Sequence, residues 1–321
     1  MKQCAIVTGC AGFIGAATTK KLLSLGWEVI GIDIASEREG ADYQKTNLTV
    51  LGGLKGFNFI QWDLAEDYRN IPLDLARADL MIHLAGFSGV RDSETYPLKY
   101  LNNNLKSTIG ALSIALSKNI RKFVFASSST VYGGGCDVPF LETCMDLNPM
   151  CAYGNSKLQC ERIIQSFLPG ELDIAILRLF SVYGPGQRPN LILPKVVDAI
   201  LNRQPLTLFG DGSQLRDFTF IDDVISGIVL VSNFLCTRNS TQLTLNIGNG
   251  KPYSINHLIG IVEQELRQQL KITKLPRNHF ELPVTAADIS FANETIGYHP
   301  HMSLEGGVKS YLSWKVRQLS N

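Results

Sequence analysis

The chain has 321 residues, 45% of them hydrophobic, and its 30 Lys and Arg residues nearly balance its 29 Asp and Glu residues. This length is sufficient for one large domain or two smaller ones around a substantial core. The balanced charge argues against nucleic-acid and membrane partners, which need clustered Lys and Arg, and with no apolar run of about 18 residues and no signal peptide we expect a cytoplasmic protein.

The chain begins with a pattern that is typical of a dinucleotide-binding loop. A short apolar run over 4–7 predicts a buried strand, and helical apolar spacing follows over 13–25. Between them, Gly9, Gly12 and Gly15 allow a tight turn, close approach of a pyrophosphate and close packing of the helix on the strand. The phosphates would lie at the helix N-terminus, where backbone N–H groups and the helix dipole favour anions.

An acidic residue after the next strand indicates which dinucleotide is preferred. A second apolar strand over 29–32 ends in Asp33, 18 residues after Gly15. A carboxylate at this position accepts hydrogen bonds from the adenosine ribose and repels a 2′-phosphate, so NAD is favoured over NADP. The alternative is a purely structural strand–turn–helix, because a chain with 28 glycines produces such spacings by chance.

The first half of the chain alternates strands and helices at the spacing of a doubly wound parallel sheet. Strands are predicted over 57–62, 80–84, 122–126 and 173–177, and helices over 93–116 and 150–167. We therefore expect an α/β fold with a Rossmann-type doubly wound parallel sheet.

The seven cysteines indicate free thiols in a reducing compartment. Four of them lie fairly close together, at Cys136, Cys144, Cys151 and Cys160, but no Cys-x-x-Cys pair exists and no His lies among them. Neither a zinc site nor a disulfide framework is therefore expected, and we predict no metal.

The second half of the chain has a less regular rhythm. Glycine-containing turns at 184–186 and 210–212 divide it into short pieces. The remaining predicted elements are helices over 220–235, 255–269 and 304–316 and a strand over 243–247. The change near residue 180 predicts a smaller lobe, built from the C-terminal portion and set against the nucleotide-binding one.

A phenol and an ammonium group lie one helical turn apart on the helix predicted over 150–167. Tyr153 and Lys157 share one face of it, and they follow the strand whose carboxyl end carries Ser128. Parallel sheets bind ligands at the carboxyl ends of their strands. The same spacing recurs over 311–315 on an amphipathic terminal helix, where no such strand accompanies it. We interpret that second copy as structural.

These three side chains suit the removal of a proton from an alcohol. A free phenol has a pKa of about 10 and is a poor base at neutral pH. One cation about 4 Å away, at an effective dielectric constant of about 20, stabilises a phenolate by roughly 4 kcal/mol, or about three pKa units. We predict that Tyr153 is the base, that Lys157 and the positive nicotinamide ring lower its pKa, and that Ser128 hydrogen-bonds the same substrate oxygen.

Together the motifs resemble the extended short-chain dehydrogenase/reductases of the NAD-dependent nucleotide-sugar epimerase/dehydratase family. The matching segments run almost end to end: Thr8–Gly15, Asp33, Asp63-Leu64, His83–Gly86, Ser127–Gly133, Tyr153–Lys157, Arg178–Pro185, Arg216–Asp223 and Ala287–Ser290. The family fold implies a Rossmann lobe, over 1–178 and 217–247, and a smaller α/β C-terminal lobe, over 179–216 and 248–321, that holds the sugar nucleotide.

The resemblance also implies which residues contact the cofactor and how the subunits assemble. The residues that would bind NAD are Gly9, Gly12, Phe13, Ile14, Gly15, Asp33, Asp63, Leu64, Leu84, Ala85, Gly86, Asn104, Tyr153 and Lys157. Asn104 would fix the backbone near the nicotinamide, while His83 is interpreted as structural. Family members usually form homodimers through a four-helix bundle made of the helix near 93–117 and the helix that carries Tyr153.

Within the family, the chemistry depends on the residues that follow the catalytic hydroxyl. Members that eliminate water resemble one another in having Asp-Glu there, and decarboxylating members usually have a Glu two residues before the Tyr of Val-Tyr-Gly. Here the positions are Ser129 and Thr130, so neither acid is present. The resemblance therefore favours 4-epimerisation, by oxidation and re-reduction at C4.

Two segments, 89–93 and 180–190, resemble the branch of the family that interconverts UDP-glucuronate and UDP-galacturonate. Hydroxyl side chains at Ser129, Thr130 and Ser181 could hydrogen-bond a sugar carboxylate. By resemblance, Arg188 and Arg216 would clamp the UDP diphosphate through charge-assisted bonds. Arg91 is a further candidate for substrate contact. Structural alternatives are an ion pair of Arg91 with Asp92 or Glu94, and one of Arg216 with Asp217.

The chain departs from the family pattern before 287–290. Relatives usually have an Arg three residues before a Gly-Asp acid, whereas the matching positions here are Asn278, Phe280 and Glu281, with Arg277 displaced by one. This departure weakens the diphosphate assignment at this end of the chain. Several other functions also stay open. The sugar could be UDP-glucose or UDP-N-acetylglucosamine, the enzyme could be a reductase of a 4-keto nucleotide sugar, or the chain could be an NAD-sensing binding protein without activity.

Overall fold

We analysed a computed structural model of the chain. It describes residues 2–34, 42–66, 78–167, 171–278 and 280–319. The strands are β1 (Cys4–Thr8), β2 (Glu28–Asp33), β3 (Phe57–Gln61), β4 (Leu80–His83), β5 (Lys122–Ser128), β6 (Asp173–Leu179), β7 (Ser181–Tyr183), β8 (Leu206–Phe209), β9 (Leu215–Phe220), β10 (Gln242–Ile247), β11 (Pro252–Ser254) and β12 (Ile272–Leu275). The helices are α1 (Phe13–Ser24), α2 (Asp42–Gly52), α3 (Val90–Thr95), α4 (Pro97–Ser117), α5 (Ala152–Gln165), α6 (Ile192–Leu201), α7 (Ile221–Cys236), α8 (Ile255–Leu266), α9 (Ser290–Ile296) and α10 (Leu304–Leu319).

Seven strands form one parallel sheet in the order β10-β6-β5-β4-β1-β2-β3. Its apolar strands are covered on both faces, as a parallel sheet requires. Alternation along β1 shows this: Ala5 and Val7 pack with residues of α1 and α7, whereas Ile6 packs with residues of α4 and α5. The predicted doubly wound α/β sheet is therefore confirmed, and β10 returns the chain to its edge beside β6.

Most predicted helices differ from the structure by one to three residues at their ends, and two of the differences have a clear local cause. The helix predicted over 93–116 is two helices, because Pro97 has no N–H and disfavours helical backbone at Tyr96, whose φ and ψ are −130° and 57°. The helix predicted over 255–269 ends at Leu266, where Arg267 adopts the left-handed conformation with φ 52°. Within the described ranges, no helix has the length and apolar character needed to cross a bilayer.

The part of the chain after β6 builds a separate layer beside the large sheet. It contains a three-stranded sheet, β11-β9-β7, and a two-stranded sheet, β12-β8. Helices α6, α8 and α10 pack around these sheets. Apart from β10, these strands have only three to six residues, and the sequence pattern does not predict them. Helix α6 and helix α2 were not predicted either.

The expectation that all seven cysteines are free thiols is wrong for one pair. Cys136 and Cys144 form a disulfide, and their Cα atoms are 6.1 Å apart, within the ordinary range. The reason is the loop that contains them. It is closed at its base by the bridge between Gly133 and Asn148 and held at its middle by buried Phe140, whose N–H donates to the carbonyl oxygen of Ala286. The other five cysteines are free.

Candidate active site

The loop after β1 makes close backbone contacts that only glycine permits. Gly9 has φ 70°, and a Cβ atom on it would lie 2.8 Å from the backbone nitrogen of Ala85. A Cβ atom on Gly15 would lie 2.0 Å from the carbonyl oxygen of Gly9. Helix α1 begins after Gly12, which provides no side-chain cap. Its first N–H groups, including those of Phe13 and Ile14, therefore face the loop and fit a dinucleotide pyrophosphate.

Two acidic residues follow neighbouring strands of the large sheet. Asp33 ends β2, and its Oδ2 accepts a hydrogen bond from the N–H of Ala11 at 2.9 Å. Asp63 follows β3, and its Oδ1 accepts from the N–H of Ala65 at 2.9 Å. Leu64, the residue after Asp63, is buried. The predicted NAD-binding residues of the first half therefore meet at one edge of the sheet, at the carboxyl ends of β1, β2 and β3.

The segment after β4 is fixed by a side chain from α4. Asn104 is buried; its Oδ1 accepts from the N–H of Phe87 at 2.7 Å, and its Nδ2 donates to the Phe87 carbonyl at 3.1 Å. Gly86 has φ 151°, and a Cβ atom there would meet Asn104 Oδ1 at 3.0 Å and Lys157 Nζ at 3.6 Å. Of the predicted residues Leu84, Ala85 and Gly86, the last therefore lies next to Lys157.

His83 ends β4, directly before this segment, and its contacts indicate a structural role. Its ring is buried between the hydroxyls of Thr8, at 2.7 Å, and Thr108, at 3.2 Å. Burial, together with the charge of Lys157, lowers its pKa to about 3. The imidazole is therefore neutral at physiological pH.

The three predicted catalytic residues come together beside the end of β5. Ser128 is the last residue of β5, and its hydroxyl accepts a hydrogen bond from the hydroxyl of Thr130 at 2.9 Å. Helix α5, which starts after the Cys151 cap, carries Tyr153 and Lys157. Lys157 is buried, and its Nζ donates to the carbonyl oxygen of Ala126 at 2.8 Å. The lysine is therefore held against the strand that carries Ser128.

Burial raises the pKa of Tyr153 to about 12, although the hydrogen bond with Ser128 and the charge of Arg188 act in the opposite direction. Burial also lowers the pKa of Lys157. The sequence predicts that a nearby cation lowers the pKa of Tyr153 toward neutrality. In the protein without NAD, the pKa of Tyr153 is raised instead. Desolvation of the phenol outweighs the favourable contacts.

A buried ion pair supports the catalytic helix. Glu161, one turn after Lys157, accepts hydrogen bonds from the Ser127 hydroxyl and from Arg178, whose Nη2 and Nε lie 2.8 Å and 3.1 Å away. Both charged side chains are buried. Removing one partner of such a pair leaves an uncompensated charge and costs about 3–5 kcal/mol. The pair therefore links α5 to β6 next to the catalytic residues.

A cavity of about 420 Å³ lies between the large sheet and the small sheets. All six residues predicted to bind the substrate line it: Arg91, Ser129, Thr130, Ser181, Arg188 and Arg216. They come from α3, the 3₁₀ turn after β5, β7, the loop before α6, and β9. Residues that are far apart in the sequence thus form one cavity, directly beside Ser128.

The arginines of the cavity have partners other than those suggested as structural alternatives. Arg91 Nε pairs with Glu281 at 2.9 Å, not with Asp92 or Glu94, and its guanidinium lies 4.2 Å from the Phe209 ring centroid. The Arg91 side chain is still 43% exposed. On the far side of the cavity, the Glu281 carboxylate also lies 3.6 Å from Arg216.

The suggested Arg216–Asp217 ion pair is not formed. Arg216 Nη1 donates to the carbonyl oxygens of Leu215 and Leu282, both at 2.9 Å. Buried Asp217 instead accepts from the N–H groups of Asn249, Gly250 and Ala287. Asp217 is therefore a structural residue that ties β9 to two loops, and the guanidinium of Arg216 is left on the cavity side.

Arg188 connects the two walls of the cavity. Its guanidinium donates to Ser88 Oγ at 2.8 Å and to the Ser88 carbonyl at 3.3 Å. Arg277, which stands one position from the family arginine, donates to the Glu281 carbonyl at 2.9 Å. The sequence predicts no role for Glu281 or for Gln187, although both line the cavity. The position of Gln187 inside the substrate-binding segment 180–190 is the signal that could have identified it.

Tyr311, the second copy of the tyrosine–lysine spacing, is buried in α10 against Trp314, away from these residues. Its partner Lys315 pairs with Asp198 of α6 at 2.9 Å. Within the described ranges, no group of three or more His, Cys, Asp or Glu side chains is arranged to hold a metal ion.

Known proteins resemble the chain over almost its whole length. The profile of the NAD dependent epimerase/dehydratase family matches residues 5–248. A UDP-glucuronate 4-epimerase from Thermodesulfobacterium geofontis is 33% identical over 318 residues, which cover 98% of this chain and 96% of that protein.

Solved structures agree with this match. The UDP-glucuronic acid 4-epimerase from Bacillus cereus, in complex with UDP-glucuronic acid and NAD, has a TM-score of 0.88 and 32% identity, covering 99% of this chain and 100% of that chain. The UDP-glucose 4-epimerase from Thermotoga maritima, with UDP-glucose, has a TM-score of 0.86 and 25% identity, covering 99% of this chain and 100% of that chain.

Proposed function

Because the chain belongs to the NAD dependent epimerase/dehydratase family, we propose that it is an NAD-dependent 4-epimerase that interconverts UDP-glucuronate and UDP-galacturonate. One observation carries the choice of sugar. Ser129, Thr130 and Ser181 line the same cavity as Arg188, and the Thr130 hydroxyl lies 2.9 Å from the Ser128 hydroxyl. Hydroxyl groups can donate to a carboxylate without adding bulk. The similarity to epimerases of UDP-glucuronate supports the same assignment.

In this proposal Tyr153 removes the proton of the C4 hydroxyl, and Ser128 holds the same oxygen. When bound, NAD would supply the acceptor for the C4 hydride and the donor that restores it, so that it would not be consumed. Gly9, Gly12, Gly15 and Asp33 would hold it, since the glycines let the loop backbone pack closely before α1 and the N–H of Ala11 fixes the Asp33 carboxylate beside that loop. The 4-keto sugar must turn within the cavity before the hydride returns to its other face.

The raised pKa of free Tyr153 supports an order of events for this reaction. A phenol with a pKa of about 12 is almost entirely protonated at neutral pH. The cationic nicotinamide ring of NAD would add the positive charge that Lys157 does not supply by itself. The base would therefore become active only in the loaded enzyme, which prevents proton removal without an oxidant.

The test is an NMR assay of purified enzyme with UDP-glucuronate. We expect the C4 epimer to accumulate to an equilibrium mixture, with no net absorbance change at about 340 nm because NAD is regenerated. A stoichiometric absorbance change would instead indicate a 4-keto reductase. Turnover of UDP-glucose or UDP-N-acetylglucosamine, but not of UDP-glucuronate, would refute the sugar assignment and leave the epimerase chemistry. No turnover of any of these sugars would refute the activity.

We also propose a homodimer formed through α4 and α5. These helices pack side by side, and the outer face of α4 exposes Leu98, Ile109 and Leu116, with Leu98 71% exposed. An apolar stripe at helical spacing suits a helix-bundle contact with a second copy. Light scattering on the eluting protein should give twice the mass of the chain. Substitution of Ile109 by Lys should give the monomer mass.

The proposed two-lobe division, with 1–178 and 217–247 in one lobe, is supported by the return of β10 to the large sheet.

A cytoplasmic location is also proposed. Five free cysteines suit a reducing compartment, whereas the Cys136–Cys144 disulfide does not. Alkylation of acid-quenched cells followed by mass spectrometry would test the location: the five cysteines outside this pair should react as free thiols, and oxidation of these five would contradict a reducing compartment.

A further inference from the structure

We propose that Gln187 is a further substrate-binding residue, whose side-chain amide donates a hydrogen bond to an anionic oxygen of the bound nucleotide sugar. This inference rests on the proposed function, since it concerns the same cavity. It adds a contact that the residues predicted from the sequence to bind the substrate do not supply.

The first observation is an unsatisfied buried donor. Gln187 is only 5% exposed, and its Nε2 has no hydrogen-bond partner among the residues that the structure describes. Two other buried side-chain atoms in these ranges are unpaired, Thr19 Oγ1 and Arg178 Nη1. Of the three residues, Gln187 is the one that lines the cavity. Leaving a buried donor unpaired is unfavourable, so a partner from a ligand stabilises this arrangement.

The second observation is that the amide has a fixed orientation. Gln187 Oε1 accepts a hydrogen bond from the N–H of Gly184 at 2.9 Å. Because an amide nitrogen can only donate, a flipped amide would set two donors against each other. The N–H of Gly184 is itself held in place: Gly184 has φ 138°, and a Cβ atom on it would lie 2.8 Å from Ile221. Nε2 is therefore the end of the amide that is left for a ligand.

The charge of the cavity indicates what kind of acceptor Nε2 meets. Four cationic side chains and two carboxylates line the cavity: Arg91, Arg188, Lys195, Arg216, Asp92 and Glu281. The excess of cations favours anionic oxygens. A nucleotide sugar of the proposed class provides them at two places, the hexuronate carboxylate and the diphosphate. Both are acceptors that a neutral N–H donor can bind without adding a charge.

The experiment measures calorimetric binding of UDP-glucuronate, UDP-glucose and UDP to NAD-loaded protein, in the Tyr153→Phe background so that the sugars stay intact. Gln187→Leu removes the donor, and we expect it to weaken binding by about 10- to 100-fold, the range for a hydrogen bond to a charged group. A loss for UDP-glucuronate alone identifies the carboxylate as the acceptor. An equal loss for all three ligands identifies the diphosphate.

The matched control is Gln214→Leu. Gln214 is a buried glutamine of the same cavity whose Nε2 already donates to the carbonyl of Phe209 at 3.1 Å. We expect this control to change binding by less than about threefold. Equal losses in the two variants, or a change below about threefold for Gln187→Leu with all ligands, would overturn the proposal.

A second variant covers the case in which Gln187→Leu lowers the melting temperature. Gln187→Glu keeps an oxygen for the N–H of Gly184 but replaces the donor with a negative oxygen, so binding should weaken at least as much. Unchanged binding by this variant also overturns the proposal. The proposed function fails separately: wild-type enzyme that binds UDP-glucuronate but forms no C4 epimer refutes the epimerase and leaves the Gln187 result valid.

Discussion

The two walls of the cavity are built in different ways. The catalytic wall comes from the large parallel sheet and α5, and its charged group, Lys157, is buried and held by the carbonyl oxygen of Ala126. The opposite wall comes from short strands and loops of the smaller sheets and carries Arg216 and Glu281. The Glu281 carboxylate pairs with Arg216 and with Arg91 of α3, and Arg216 also donates to backbone carbonyls. The first wall therefore has one fixed arrangement, whereas ion pairs on the second can exchange for ligand contacts.

The contrast between the walls predicts which kinetic constant depends on each of them. A fixed, buried group acts on the reacting atoms, so its loss lowers kcat. A group that exchanges one partner for a ligand contributes to binding in the ground state and the transition state alike, so its loss raises KM.

The strongest test of the catalytic wall is Tyr153→Phe, which removes the phenolic oxygen and keeps the ring. We expect kcat to fall by about 1,000-fold, as for the loss of a general base. Binding of UDP-glucuronate should change little, because the cavity residues remain. Steady-state kinetics and calorimetry measure the two effects. Retention of full activity would refute the role of Tyr153.

The second substitution, Lys157→Met, removes the buried cation. We expect kcat to fall by about 100-fold near pH 7. The loss should be smaller at alkaline pH: a base acts deprotonated, and removal of a cation raises the pKa of Tyr153 further above its already raised value. The rise of kcat with pH should therefore move to higher pH. A loss of equal size at every pH would show that Lys157 acts only by position.

On the binding wall, Arg216→Met should raise KM for UDP-glucuronate by about 30-fold and change kcat by less than about threefold. The guanidinium of Arg216 also holds the carbonyl of Leu282, so a thermal melt must accompany the kinetics. Arg216→Lys is the matched variant: it keeps the charge and loses the planar fork, and an intermediate KM is expected. A fall in kcat at constant KM would break the contrast between the walls.

The smallest expected effect concerns sugar choice. Ser181→Asn replaces a hydroxyl in the cavity with an amide, and the preference for UDP-glucuronate over UDP-glucose should fall by about fivefold. Ser181→Thr keeps the hydroxyl and should keep the preference. Competition assays with both sugars measure the ratio. An unchanged ratio in Ser181→Asn would place the carboxylate elsewhere in the cavity.

The catalytic wall could be predicted from the sequence because residues that follow strands of a parallel sheet come together at one edge of that sheet. Parallel strands end at one edge of the sheet, so Gly9, Asp33 and Ser128, each next to a strand end, had to approach one another. Local spacing was equally informative for Tyr153 and Lys157, which need only a helix to share a face. The break at Pro97 was also readable from local rules, although the apolar spacing on both sides of it predicted one helix.

The binding wall was less predictable because its contacts join distant parts of the chain. Arg91 and Glu281 are 190 residues apart, and nothing in the local pattern of either predicts the other. The strands that carry Ser181 and Arg216 are too short to give a clear periodicity. The Cys136–Cys144 disulfide depends on a loop closed by Gly133 and Asn148. The alternation of strands and helices in the sequence does not predict that this loop closes.

The most direct test of the central claim follows a label on the reacting carbon. UDP-glucuronate with deuterium at C4 should give UDP-galacturonate that retains the deuterium at C4, because transient oxidation would return the same hydrogen to that carbon. Proton NMR and mass spectrometry of the product measure this retention. Loss of the deuterium to water would contradict transient oxidation at C4.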